Sequence, residues 1–276
     1  MKLLKKYALC AILGALLIIT PFHAQAAEHA CPDQTAAENG AHQQQYLLGK
    51  AYDNGLCALD TNKEAAAQWY TRAAQQGHIE AAYELGETYF TGDGLPINYP
   101  LAKKWYLKAG KHGHGKSQLR LGFLFAESHF EGLSVDMEEA ERWFIAAAAQ
   151  DAGDAKFRLG NFYSYYKQPP DHEQAYRWLR DAAMGGHRIA MYDLARMYKN
   201  GTGVPQHNGK ALIWMTKAAK ADVLQAQMAL AEMYAKGDGT PQDDILALKW
   251  TLTIAKKPTA SPFWLKKAGD LLFEGR

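Results

Sequence analysis

The sequence predicts an all-α protein: a right-handed α-solenoid of about six helix-turn-helix repeats, 35–38 residues each, closed by a C-terminal capping helix. Three observations carry this. Tryptophan recurs as Trp69, Trp105, Trp143, Trp178, Trp214 and Trp250, at steps of 36, 38, 35, 36 and 36 residues. A leucine followed by a small residue recurs upstream, as Leu48-Gly49, Leu85-Gly86, Leu121-Gly122, Leu159-Gly160, Leu194-Ala195 and Leu230-Ala231. An aromatic stands four residues after each leucine: Tyr52, Tyr89, Phe125, Tyr163, Tyr198 and Tyr234. Self-similarity at a fixed period of this size is the mark of a stacked repeat array.

Taken in chain order, residues 1–26 read as a secretory signal peptide. Lys2, Lys5 and Lys6 precede the apolar run Ala8–Thr20, Pro21 ends the run, and Ala24-Gln25-Ala26 has the small-residue cleavage pattern. The run is shorter than the roughly 18 residues of a membrane span, so no span is expected after cleavage. The competing reading is an uncleaved N-terminal anchor. Cys10 opens the apolar run rather than ending it, which argues against a lipid-anchored protein. Cleavage removes three of the 31 basic residues and none of the 29 acidic ones, leaving a net charge of −1. That balance does not suit a nucleic-acid partner.

Residues 27–42 form a lead-in. Cys31 and Cys57 are the two cysteines left after cleavage, and in an oxidising compartment they predict a disulfide. The other reading is two thiols too far apart to bridge.

Residues 43–262 divide into six repeats: 43–80, 81–116, 117–154, 155–189, 190–225 and 226–262. Within a unit, Ala81, Leu85 and Tyr89 form one helical stripe, and Gly86 beside it admits a neighbouring helix. Ala102, Trp105, Tyr106 and Ala109 form a second stripe. Between them lies TGDGLPIN, a Gly/Pro turn that GTGVP and GDGTP repeat later. Each repeat is therefore helix A, turn, helix B. Such a hairpin cannot bury its apolar face alone, whereas stacked copies can. Residues 263–276, with Ala268 and Leu272 at helical spacing, read as the cap.

The combined pattern A-x-x-x-L-G-x-x-Y, G-x-G-x-P, A-x-x-W-Y-x-x-A-A-x-x-G-H resembles the Sel-one-like repeat family, a subclass of the tetratricopeptide class. The second repeat, AAYELGETYFTGDGLPINYPLAKKWYLKAGKHGHGK, matches most fully, and the resemblance runs from about Gln43 to Pro262. Three repeats depart from it. The third has the polar turn ESHFEGLSVDMEE. The fourth has Tyr165-Tyr166-Lys167-Gln168-Pro169-Pro170 in place of Gly-x-Gly. The last ends in KKPTASP.

The residues suggest little catalytic chemistry. Gly92-Asp93-Gly94, Gly201-Thr202-Gly203 and Gly237-Asp238-Gly239 follow helices and lack the Lys-Ser or Lys-Thr of a phosphate loop. His78, His114 and His187 share the Gly-His turn between repeats, and His112-x-His114 has no third ligand at recognisable spacing, so no metal is expected. The tryptophans lie on the alanine-flanked stripe and read as core rather than as a stacking ladder. No Gly-x-Ser-x-Gly elbow or Ser-x-x-Lys motif is present. The expectation is a protein without catalytic residues or cofactor.

In the tetratricopeptide class the A helices line a concave groove, and the resemblance implies the same here. Two A-helix columns point away from the buried stripe and share one face. One reads Leu47, Glu84, Arg120, Arg158, Asp193, Ala229; the other reads Lys50, Glu87, Phe123, Asn161, Arg196, Glu232. Candidate contact residues are Glu84, Glu87, Arg120, Phe123, Arg158, Asn161, Asp193, Arg196 and Glu232. Arginine beside an aromatic has the composition of a protein-binding hot spot. The other reading is a solvated face of alternating charge. The expected function is a periplasmic or secreted scaffold that binds a protein or peptide in the groove. The resemblance also admits an immunity protein against a secreted effector, a regulator of envelope signalling, or a β-lactam-binding or β-lactam-hydrolysing protein.

Overall fold

The computed structural model describes residues 31–150 and 153–257, together with Lys266 and Asp270. The expected signal peptide and, but for those two residues, the expected cap lie outside the described residues. Every regular element among the described residues is helical, in thirteen α-helices and one π-helical turn. The chain forms two compact units that divide after Lys108. The first holds α1 (Gln34–Glu38), α2 (His42–Asn54), α3 (Lys63–Gln75), α4 (Ile79–Thr91) and most of α5 (Tyr99–Gly110). The second holds α6 (Gly115–Ala126), α7 (Met137–Ala148), α8 (Gly153–Asn161), the π-helical turn Phe162–Tyr166, α9 (His172–Met184), α10 (Arg188–Asn200), α11 (Asn208–Lys220), α12 (Leu224–Lys236) and α13 (Asp244–Ala255). In both units helices A and B alternate, as the repeat pattern predicts.

One device starts every B helix. Asn62, Asn98, Asp136, Asp171, His207 and Asp243 each accept, through the side chain, the backbone N–H three residues on, at 2.9–3.2 Å. A cap of this kind satisfies one of the orphan donors of a helix start. The same six residues donate their own N–H to the carbonyls of Tyr52, Tyr89, Phe125, Tyr163, Tyr198 and Tyr234, at 2.8–3.0 Å. The aromatic column of helix A thus marks where the backbone receives the start of helix B.

Histidine starts three of the A helices. His78, His114 and His187 accept the N–H groups of Ala81, Ser117 and Ala190 through Nδ1, at 3.1–3.2 Å. The glycine before each, Gly77, Gly113 and Gly186, has φ of 84–95°, a region that disfavours a Cβ. The Gly-His column is therefore a left-handed residue followed by a cap.

The core is built from the alanine columns, the leucine column of the A helices and a buried residue next to each tryptophan of the B helices. Tyr70, Tyr106, Phe144, Leu179, Met215 and Thr251 are buried, each directly after a tryptophan of the repeat column. The tryptophans themselves are only half-buried. This corrects the sequence expectation that the Trp column is the core column. The indoles lie on the flank of the stripe, where cationic side chains cover three of them. The Arg72 guanidinium carbon lies 4.4 Å from the Trp69 ring, Lys217 Nζ lies 4.1 Å from Trp214, and Lys108 Nζ lies 5.4 Å from Trp105. Long basic side chains cover apolar surface while keeping the charge in water.

The Leu-Gly column also has a direct cause. A Cβ on Gly49, Gly86 or Gly122 would lie 2.6 Å from the ring of Tyr70, Tyr106 or Phe144 respectively. The glycine is the space the buried ring of helix B occupies. In the fifth and sixth repeats the position is Ala195 or Ala231, and the partner helix carries Met215 or Thr251 instead of a ring.

Cys31 and Cys57 are joined in a disulfide with a Cα–Cα distance of 5.5 Å. That separation lies within the bridging range and settles the choice between a bridge and two distant thiols. The bond ties the segment before α1 to the turn after α2.

Candidate interaction surface

The two A-helix columns sit on partly exposed helix faces, and Glu84 and Glu87 are held by their neighbours. In the first unit, Lys50 Nζ lies 3.6 Å from Glu84. Tyr106 donates its hydroxyl to Glu87 Oε1 at 2.5 Å. Lys63 Nζ bridges Asp53 at 2.7 Å and Asp93 at 3.2 Å, and Tyr70 donates to Asp53 at 3.2 Å. Burial raises the Glu84 carboxyl above its ordinary range, against the lowering effect of Lys50. Burial, together with Asp53, also raises the Tyr70 phenol. Together Asp53, Lys63, Tyr70, Glu84, Glu87 and Asp93 line a cleft of about 110 Å³ in which carboxylates outnumber the single ammonium.

The second unit carries two clefts. One, of about 320 Å³, is lined by Phe123, Phe144, Arg158, Asn161, Tyr165 and Tyr166. Phe123 meets Phe144 edge-on with centroids 5.2 Å apart. The Arg158 guanidinium lies between two rings, 5.4 Å from Phe123 and 5.6 Å from Phe157. Its ionic neighbour, Asp154, is 3.6 Å away, one helical turn back. Tyr166 donates to Glu127 at 3.0 Å, outside the cleft lining.

The other cleft, of about 210 Å³, contains Ser164, Tyr165, His172, Asp193, Arg196 and Asn200 in its lining. Arg196 lies 3.6 Å from Asp193 and 5.8 Å from the ring of Tyr192. Burial raises the Asp193 carboxyl, and Arg196 opposes that shift. Tyr165 lines both clefts and is 64 % exposed.

Seven of the nine candidate residues therefore line clefts: Glu84 and Glu87 in the first unit, and Phe123, Arg158, Asn161, Asp193 and Arg196 in the second. Arg120 and Glu232 stand on the same columns but line none of these three. Sequence reasoning missed Tyr165 and Tyr166, whose turn reads as a mere departure from Gly-x-Gly. The signal lay in the composition: FYSYY adds Tyr165 and Tyr166 just after the column aromatic Tyr163, with Tyr166 where the second, fifth and sixth repeats have the first turn glycine. The chain there widens into a π-helical turn, a form associated with functional sites.

Among the described residues no group of three or more His, Cys, Asp or Glu is placed to hold a metal ion, and no helix is long and apolar enough to cross a membrane.

The Sel1 repeat family model matches residues 45–78, 79–114, 115–151, 153–187, 188–223 and 224–257. The chain belongs to the Sel1 repeat family. Among solved structures, a Sel1 repeat protein from Oxalobacter formigenes is 31 % identical over 83 % of this chain and 90 % of its own, with a TM-score of 0.66. A protective antigen with an SLR fold, present in uropathogenic Escherichia coli strains, is 24 % identical over 87 % of this chain and 62 % of its own, with a TM-score of 0.47. An immunity protein from Pseudomonas aeruginosa is 18 % identical over 83 % of this chain and 82 % of its own, with a TM-score of 0.41. No curated protein sequence matches the chain. Membership accounts for the helix-turn-helix solenoid architecture and for the scaffold columns of the Sel1 repeat. The clefts are built from residues outside those columns, apart from Ala66, Tyr70, Phe144 and Leu179, which reach them from the core.

Proposed function

We propose that this Sel1 repeat protein is an exported scaffold, without catalysis of its own, that holds a protein or peptide partner against its A-helix face. The observation that carries the reading is the segregation of the sequence. The leucine, small-residue and alanine columns, which keep their chemistry from repeat to repeat, are buried, and seven residues of the two columns that vary line clefts. A repeat array presents such a face as an extended binding surface. Sel1 repeat proteins in general are protein-interaction scaffolds, which agrees with it. Export to the periplasm or medium is supported by the N-terminal sequence pattern and by the Cys31–Cys57 bridge, a bond of oxidising compartments.

The test is affinity capture from envelope extract, comparing the wild-type protein with R120E/R158E/R196E. The expected result is a partner held by the wild-type protein and released from the variant. A partner retained at equal affinity by both would place the binding surface elsewhere.

A further inference from the structure

We infer that the two clefts on either side of Tyr165 form an anchoring site for a peptide segment in which an aromatic residue stands next to an aspartate or glutamate. The inference rests on the partner-binding reading above and specifies the partner's chemistry. The larger cleft, about 320 Å³, has four aromatic residues in its lining, Phe123, Phe144, Tyr165 and Tyr166. Aromatic rings favour an incoming ring through edge-on and offset contacts. The volume is at the low end for ligand pockets, which suits one side chain better than a large cofactor.

Charge decides the neighbour. Among the described residues that line this cleft Arg158 is the one ionic side chain, and its companion there is the Asn161 amide. The Arg158 side chain is 43 % exposed, and its contact with Asp154 at 3.6 Å is long for a charge-assisted hydrogen bond. A guanidinium has five donors in a planar fork, so this one keeps donors for an arriving carboxylate. The Phe123 and Phe157 rings lie within cation–π distance of it. An incoming ammonium would meet like charge, with no carboxylate among the described residues of the cleft wall.

Tyr165 supplies the geometry. Its exposed ring is shared by both clefts, so a chain laid across it reaches both at once. A tyrosine does this at low entropic cost, having only two side-chain torsions to fix. The smaller cleft balances Arg196 with Asp193 and adds Ser164, Asn200 and Thr202, which suits an uncharged polar neighbour.

The experiment is a display selection from a random peptide library on wild-type protein, R158Q and Y165A, with circular dichroism melting curves to verify folding. Wild-type protein is expected to enrich peptides in which an aromatic residue adjoins an acidic one. R158Q is expected to keep the aromatic preference and lose the acidic one. The enriched peptide, resynthesised with lysine in place of its acid, is expected to bind wild-type protein at least tenfold more weakly, and R158Q is expected to bind the two forms alike. Absence of enrichment, enrichment of basic or aliphatic peptides, or an acidic preference that survives in R158Q overturns the inference. If the envelope partner is captured but not displaced by the enriched peptide, the scaffold reading stands and this site assignment falls.

Discussion

The Nδ1 atom of His78 accepts the backbone N–H of Ala81 at 3.2 Å, while its Nε2 faces Gln43 Oε1 at 3.0 Å. The two bonds are compatible only with a neutral ring that carries its proton on Nε2. Around it stand Glu80 at 3.5 Å, the His42 ring at 5.6 Å and the stacked Tyr46 ring at 4.5 Å.

This cap gives the first unit a pH dependence. Burial lowers the His78 pKa below 6.5, with Glu80 opposing the shift and His42 adding to it. The unfolded ring therefore takes a proton before the folded one does. The contribution is present above 6.5 and is lost as pH falls through the lower folded value. H78N keeps a capping acceptor that does not titrate. Urea unfolding at about pH 7.5 and about pH 5 is expected to show a larger fall for wild-type protein than for H78N. Equal falls would show that the cap is not linked to protonation.

The Cys31–Cys57 bridge closes a 26-residue separation. Constraint of the unfolded chain by a loop of that size is worth roughly 3–4 kcal/mol. C31S/C57S is expected to unfold at correspondingly lower denaturant, and reductant is expected to shift wild-type protein toward the variant. Unchanged midpoints would show that the N-terminal segment contributes nothing to the stability of the unit.

Gly122 and Phe144 form a pair. A methyl group on Gly122 would overlap the Phe144 ring, so G122A is expected to cost about 1–3 kcal/mol as an overpacked core substitution. Repeat five carries the alternative solution, Ala195 with Met215. G122A/F144M is therefore expected to be more stable than the two single changes sum to, by about 0.5–3 kcal/mol in a double-mutant cycle. Additive losses would mean that the alanine–methionine solution does not transfer between repeats.

Much of this fold was legible because repetition averages out local ambiguity. Six copies of Leu-Gly and Trp place helices that one copy would not. The face of the candidate columns was legible for the same reason, since their register follows from the leucine. The burial of tryptophan was misread because residues 69 and 70 lie side by side on one stripe. Periodicity does not say which of the two meets the partner helix, and that choice depends on the space Gly49 leaves for Tyr70. The caps were half visible. His78 was recognised as a turn residue, but its Nδ1 role needs the folded geometry. The role of Tyr165 was hidden because a π-helical turn breaks the 3.6-residue register on which the columns were counted.

The glycine turns bear on how this chain can vary. Gly94, Gly203 and Gly239 each lie so close to Lys63, His172 and Asn208 respectively that a Cβ would overlap the backbone there. Each pair is 31 positions apart, so one added residue anywhere between the partners would break the contact. These three turns span 92–98, 201–207 and 237–243, and the tryptophan steps that contain them are all 36 residues. The turns at 127–136 and 167–171 lack the Gly-x-Gly pattern, and their steps are 38 and 35. The turns of the third and fourth repeats are thus the ones whose length departs from the common spacing. Those repeats supply Phe123, Arg158 and Tyr165, so the stretch of chain whose length departs is also the stretch that borders the larger cleft.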